Sequence, residues 1–211
     1  MSDRVIGRLS VYRRLLHGLR DSGVQSVYSH QLASMAGCTA AQVRRDLMAV
    51  GYSGTPTRGY DVSALLASIG AHLDAPEGQN AALVGVGNLG RAILAFFAGR
   101  RPRLSIVAAF DSDHYKTNRV IQGCRCYPVE DIAQVVRNNR IEVGIITVPA
   151  TEAQEVADRL VGAGVRGILN FAPAALRVRP DIYVETMDIT VSLEKVAFFA
   201  RRGAPKKEMA R

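Results

Sequence analysis

The 211-residue chain is predicted to be an α/β protein. A winged helix-turn-helix should come first, then a Rossmann-like doubly wound parallel sheet, then a C-terminal helix. Three observations predict this. Ala81–Gly90 (AALVGVGNLG) runs small and apolar residues into a G-x-G-x-x-G turn. Beyond it, continuous apolar runs alternate with helix-like runs, the pattern of a parallel sheet with crossover helices. Ahead of it, two helix-like segments flank a tight turn at Gly37-Cys38, within a basic part of the chain.

The glycine turn is the centre of the argument. Gly85 lets the strand turn, Gly87 lets backbone approach a pyrophosphate, and Gly90 lets the next helix pack on the sheet. The first amides of that helix then face the phosphates. Alone the motif is weak, and its context strengthens it. Arg91–Ala98 has apolar residues at helical spacing, and Ser105–Phe110 reads as a buried strand ending in Asp111. Asp111 lies 21 residues past Gly90, where an acid accepts from a ribose diol and repels a 2′-phosphate. This favours NAD(H) over NADP(H). Asp113 is a rival for the ribose.

Length allows one large domain or two small ones. The composition, 48% hydrophobic and 22% charged, is ordinary for a globular protein. No apolar run is long enough for a bilayer, and MSDRVIGRLS has no apolar signal core, so a cytoplasmic protein is expected. The formal net charge of +8 is uneven: residues 1–60 carry +5, residues 201–211 carry +4 and the middle carries −1. Concentrated positive charge attracts polyanions. Cys38, Cys124 and Cys126 make no disulfide framework, and Cys-Arg-Cys alone is a poor metal site. They read as reduced thiols, with a redox role for Cys124 and Cys126 as the alternative. His17 and His30 stand without a second ligand at metal spacing.

In chain order, Arg4–Asp21 places Val5, Ile6, Leu9, Tyr12, Leu15, Leu16 and Leu19 on one helical stripe, ended by Gly23. Ser29 is the expected N-cap of a short helix His30–Met35, broken by Gly37. Thr39 is the expected N-cap of Ala40–Val50, with Val43, Leu47 and Val50 buried and Gln42, Arg44 and Arg45 facing out. Gly51–Tyr60 reads as a β-wing with Arg58 at its tip, a side chain suited to the minor groove. A solvated three-helix bundle is the plain alternative. Together, the caps, the wing and the basic bias point to DNA. Asp61–Leu73 is a connecting helix, and Asp74–Asn80 a linker. The predicted domains are 1–74, 80–190 and 191–211.

Strands are expected at Ala81–Val84, Ser105–Phe110, Arg125–Tyr127, Val143–Val148, Gly167–Asn170 and Ile182–Glu185. Helices are expected at Pro128–Asn138, with Pro in its first turn, and at Thr151–Ala163, capped by Thr151. Ligands of such sheets bind beyond the strand carboxyl ends. The cofactor candidates are therefore Gly85, Val86, Gly87, Asn88, Leu89, Gly90, Asp111, Lys116, Thr147, Val148, Pro149, Asn170, Phe171, Ala172 and Pro173. Val191–Arg202 is apolar over much of its surface, which suits packing on its own domain or on a second subunit; the two-fold dimers usual for helix-turn-helix proteins favour the second.

The chain resembles the Rex family of redox-sensing transcriptional repressors along nearly its whole length. The resemblance is carried by Thr39–Leu47 (TAAQVRRDL), Gly85–Gly90 (GVGNLG), Val107–Asp113 (VAAFDSD), Ile145–Pro149 (IITVP), Gly167–Pro173 (GILNFAP) and Met187–Phe199 (MDITVSLEKVAFF). It implies a homodimer with swapped C-terminal helices that binds operator DNA when NADH is scarce. NADH would close the dimer and release the DNA, and NAD+ would compete without closure. On this resemblance Thr39, Gln42, Arg44 and Arg45 face DNA, with Arg58 and Gly59 in the wing. Asp188 matches an acid that contacts an arginine of the first helix, here Arg14, and a tyrosine after the glycine turn. This chain has Phe96 at the tyrosine position, so an Arg14–Asp188 pair is left to act alone. Its wing, Thr57-Arg58-Gly59-Tyr60, lacks one of the family's glycines. Two other readings compete: an NAD-dependent oxidoreductase with an accessory helix-turn-helix, and a regulator sensing another nucleotide such as coenzyme A. The oxidoreductase lacks an obvious proton donor, since past Pro149 there is no His and only Tyr183 and Lys195 precede the basic tail.

Overall fold

The computed structural model describes residues 1–55, 57–99 and 103–202. The chain divides into two compact units between Pro76 and Glu77, inside the predicted linker. Most of the basic tail, residues 203–211, lies outside the described residues.

The N-terminal unit begins with α1 (Asp3–Asp21). Its stripe buries Leu9, Tyr12 and Leu16 completely. The strand β1 (Ser26–Val27) leads to α2 (Ser29–Ala36). Gly37 ends α2 at φ 67°, a left-handed cap that favours glycine. The helix α3 (Ala40–Ala49) follows. The strand β2 (Tyr60–Asp61) pairs antiparallel with β1 and runs into α4 (Val62–Leu73). Leu32, Val43, Leu47, Leu65 and Ile69 join the α1 stripe in one core. Thr39 caps α3 as expected. Ser29 does not cap α2. Tyr28 holds the N-cap position and its amide donates to Gln31 Oε1 at 2.8 Å, so Ser29 is already helical.

In the second unit, β3 (Gln79–Val84), α5 (Asn88–Phe97) and β4 (Leu104–Asp111) form the first βαβ unit. A hairpin of β5 (Val120–Ile121) and β6 (Cys124–Pro128) follows. A 3-10 turn, Val129–Asp131, leads into α6 (Ile132–Asn138) and β7 (Ile141–Ile146). Then come α7 (Ala150–Ala163), β8 (Gly167–Asn170), β9 (Tyr183–Thr186) and α8 (Ile189–Arg202). The sheet order is β5-β6-β4-β3-β7-β8-β9, with every pair parallel except β5–β6. Apart from the β5 hairpin, this is the order of a doubly wound dinucleotide-binding sheet.

Alternation along the strands separates two cores. Ala82, Val84, Phe110 and Ile146 pack under α6 and α7, while Leu83, Ala109 and Ile145 pack under α5. Burial on both faces explains why the strands read as continuous apolar runs. Thr151 does not cap α7; Pro149 precedes its first residue, which places Thr151 inside the first turn. No helix of the described residues is long and apolar enough to cross a membrane.

Candidate functional site

The carboxyl ends of β3, β4 and β7 converge on a cavity of about 200 Å³. β3 delivers Val84, Gly85 and Gly87 to it, β4 delivers Asp111 and Ser112, and the loop after β7 delivers Thr147, Val148 and Pro149. The turn is tightly braced. Gly85 has φ 100°, and a Cβ there would come within 2.8 Å of the Thr147 backbone. The Gly85 amide donates to the Phe110 carbonyl at 2.8 Å. The Thr147 hydroxyl lies 2.7 Å from the Gly85 carbonyl. A Cβ on Gly90 would run into the Gly85 carbonyl oxygen, so Gly90 is required by helix–strand contact. Around Gly87 the space is open: a Cβ would meet nothing within 4 Å. The first amides of α5 have no intrahelical acceptor, and Gly87, its N-cap, lines the cavity.

Asp111 is 7% exposed and heavily engaged. It accepts from the Val86 amide at 2.7 Å and from the Asp113 amide at 2.9 Å. Lys116 Nζ approaches both its oxygens, at 3.2 and 3.3 Å. Four acceptor positions on a carboxylate leave little for a ribose diol while Lys116 stays in place. Asp113 is more open and lies 3.6 Å from Lys116. The Tyr115 amide, aided by Lys116, holds its carboxyl below the usual range.

The cavity gathers Gly85, Gly87, Asp111, Lys116, Thr147, Val148 and Pro149 of the predicted set. It also includes Ser112, Val129, Glu152 and Val156, which sequence reasoning missed. Of these, Ser112 follows the strand-end acid directly, and that adjacency was a usable signal. Val86 and Gly90 are buried behind the turn, and Asn88 and Leu89 lie exposed at the start of α5. Asn170, Phe171, Ala172 and Pro173 are not among the residues lining this cavity. Asn170 is fully buried and ties its own loop together, donating to Ala172 and Ala174 carbonyls and accepting from the Ala172 amide.

The N-terminal unit presents a second arrangement. Thr39 Oγ1 accepts from the Gln42 amide at 3.1 Å, and Gln42 Oε1 accepts from the Thr39 amide at 3.1 Å. This reciprocal box fixes the entry to α3 and turns the Gln42 carbonyl back on the helix. Arg44 and Arg45 are exposed, and Arg44 donates to Ser29 Oγ at 3.2 Å. The next residue, Asp46, is 3% exposed and chelated by Arg8, Nε at 2.6 Å and Nη2 at 2.8 Å. The Tyr12 hydroxyl donates to the same carboxylate at 3.0 Å and lies 3.4 Å from Cys38 Sγ. Burial first, then these partners, raise the Tyr12 phenol above its ordinary range, and the Asp46 contact raises Arg8. α3 is thus tied to α1 by a polar network of Arg8, Tyr12 and Asp46; the sequence placed Tyr12 on the apolar stripe and gave no sign that it meets Asp46.

In the wing, Thr55 and Gly59 exchange backbone hydrogen bonds at 3.0 and 2.8 Å, and exposed Arg58 sits between them. Gly59 has φ 71°, and a Cβ there would lie 2.7 Å from the Val27 carbonyl, so the wing closes on β1 only with glycine. Pro56 lies outside the described residues. Of the switch candidates, Arg14 is exposed on α1 and Phe96 is 56% exposed on α5. Asp188 Oδ1 accepts from the Val191 amide at 2.9 Å, at the start of α8.

Cys38, Cys124 and Cys126 are free. Burial pushes both the Cys124 and Cys126 thiols up to about 11. Such thiols carry little thiolate at neutral pH, which argues against the redox alternative. Among the described residues no His, Cys, Asp or Glu cluster suits a metal.

Comparison with known proteins settles the family. The chain is 44% identical over 200 residues to the redox-sensing transcriptional repressor Rex of Carboxydothermus hydrogenoformans, covering 95% of this chain and 96% of that one. This chain belongs to the Rex family. A Rex of Rhodopirellula baltica is 38% identical, over 94% of this chain and 84% of that one. Family models for a putative DNA-binding protein N-terminus and a CoA binding domain match residues 1–47 and 77–174. The Rex-family repressor RSP, crystallised with β-NAD+ and operator DNA, superposes with a TM-score of 0.87 at 32% identity, over 96% of this chain and 93% of that one. Its complex with β-NADH gives 0.84 at 31% identity, over 96% of this chain and 95% of that one.

Proposed function

We propose that the chain is a homodimeric repressor that binds operator DNA through α3 and the wing and senses the NADH/NAD+ ratio through the Gly85–Gly90 cavity. The observation that carries this reading is the coexistence in one chain of a braced glycine turn opening on a cavity and a capped, arginine-bearing α3. Arg44, Arg45 and Arg58 supply phosphate and groove contacts. Gly87 and the first amides of α5 hold the pyrophosphate. Lys116 either yields Asp111 to the ribose or leaves that role to Asp113. The exposed face of α8, with Ile189, Leu193, Val196, Phe198 and Phe199, supports association with a second copy.

Two recognition helices must stand about 34–36 Å apart, or a multiple, to enter successive major grooves. A rotation at the dimer interface spoils that spacing without altering α3. NADH can drive it only by its differential affinity for the closed form. By linkage, operator DNA then weakens NADH binding by the same factor. The sensor reading is supported by the relatives that match along the chain, which are repressors; in the cavity, Lys116 is paired with Asp111.

The test is operator binding by fluorescence anisotropy at fixed salt, titrated with NADH, NAD+ and NADPH. Release by NADH, antagonised by NAD+, supports the reading, and DNA binding indifferent to all three refutes it. The CoA binding domain match favours a second reading, coenzyme A in the same cavity. Release by coenzyme A and not by NADH would select it.

A further inference from the structure

We propose that Tyr28 is a positioning residue for DNA binding: its hydroxyl holds the peptide group from which the wing arginine, Arg58, begins. This rests on the operator-binding reading above and adds to it the residue that aims Arg58.

Tyr28 stands between β1 and α2, and its amide is held by Gln31 Oε1 at 2.8 Å. Its side chain reaches the wing, 29 residues further along the chain, where the hydroxyl donates to the Thr57 carbonyl at 2.9 Å. The ring lies against Gly59, where an added Cβ would come within 3.1 Å of Tyr28 Cδ1. The His30 ring stacks on the Tyr28 ring, with centroids 5.6 Å apart and planes 19° from parallel.

The choice of acceptor gives this contact its consequence. The Thr57 carbonyl and the Arg58 amide belong to one planar peptide group. Tyr28 holds its oxygen, and its N–H donates to Thr55 Oγ1 at 3.3 Å. A planar group held through both polar atoms cannot turn without losing one of them, so the direction in which exposed Arg58 leaves the wing is set. The residue after Tyr28 meets the other DNA-facing element: Ser29 Oγ accepts from Arg44 Nη1 of α3 at 3.2 Å. A latch that served stability alone would change melting and leave the contribution of Arg58 to binding untouched.

The experiment is a double-mutant cycle of Tyr28→Phe with Arg58→Ala in the full chain. Binding is read by fluorescence anisotropy at fixed salt, on a duplex carrying the operator crystallised with RSP, alongside thermal melting. Tyr28→Phe keeps the ring on Gly59 and removes only the hydroxyl. It should melt as the wild type does and bind the duplex about fivefold more weakly, the scale of one neutral hydrogen bond. The double variant should bind no more weakly than Arg58→Ala alone, because both changes act through one side chain. Arg45→Ala, on α3, should instead add in full to Tyr28→Phe. The proposal is overturned if Tyr28→Phe binds like the wild type, or if its loss adds in full to that of Arg58→Ala. Equal coupling to Arg45→Ala would show a general loosening and overturns it too. If the wild type does not bind the duplex, or Arg58→Ala binds it as the wild type does, the DNA reading of the wing fails and the proposal with it, a result distinct from an additive loss.

Discussion

Asp46→Ala is the sharpest perturbation of the N-terminal unit. It removes the acceptor for Arg8 Nε, Arg8 Nη2 and the Tyr12 hydroxyl together. Deleting one partner of a buried ion pair costs about 3–5 kcal/mol. Arg8 keeps 29% exposure and can rehydrate, which lowers the figure; Tyr12 is fully buried and cannot. We therefore expect a loss of about 2–3 kcal/mol for Asp46→Ala. A unit of this size shifts its melting temperature by about 4–8 °C per kcal/mol. The N-terminal transition in scanning calorimetry should fall by about 10–20 °C. Asp46→Asn, which keeps an acceptor, should fall about half as far. An Arg8→Met/Asp46→Leu double variant should recover part of the loss, because no charge is left unpaired. Hydrogen exchange over residues 40–49 should rise in Asp46→Ala, and operator affinity should drop. If Asp46→Ala melts within about 2 °C of the wild type, the network does not anchor α3 and this reasoning is refuted.

Other outcomes follow from particular contacts. Gly87→Ala should fold normally, since its φ of −79° suits any residue and the added methyl meets only open space, yet weaken NADH binding by fluorescence titration. Gly90→Ala should instead lower the melting temperature of the second unit, because its Cβ collides with the Gly85 carbonyl. Arg44→Ala and Arg45→Ala should each reduce the salt slope of operator binding by about 0.9 if each neutralises one phosphate. Leu193→Asp with Val196→Asp should yield a monomer by sedimentation, with operator binding lost. The Cys124 and Cys126 thiols shift from 9.0 unfolded to about 11 folded, so the native state keeps protons that the unfolded chain releases. Their stabilising contribution is full below pH 9 and is lost as pH rises through about 11, visible as a falling denaturant midpoint. At pH 8 a disulfide reagent should label both thiols only after unfolding.

Much of the fold was readable in the chain because the signals are local. The α1 stripe is a repeat of three and four residues, and the Thr39–Gln42 box spans one turn. Strands buried on both faces show as apolar runs, and Gly85–Gly90 declares its turn by residue type. Element ends were less legible. Tyr28 took the position expected of Ser29, and Pro149 that expected of Thr151, because the exact start of a helix depends on how the incoming chain is held. The two-residue strand β5 is too short to carry a period.

The sequence alone determined the longer helices and strands, where the glycine turn lies, and which cations α3 exposes. Only the tertiary structure decided what each charge meets. Asp46 reads like any surface acid until α1 brings Arg8 and Tyr12 over it. Asp111 reads as a free ribose acceptor until its own loop returns Lys116 and the Val86 amide to it. Glu152 reads as a helix-start acid until β6 and β7 place Val129 and Val148 in the same cavity. Periodicity is written in neighbouring residues, whereas burial and pairing depend on residues that are distant in the chain and adjacent only after folding.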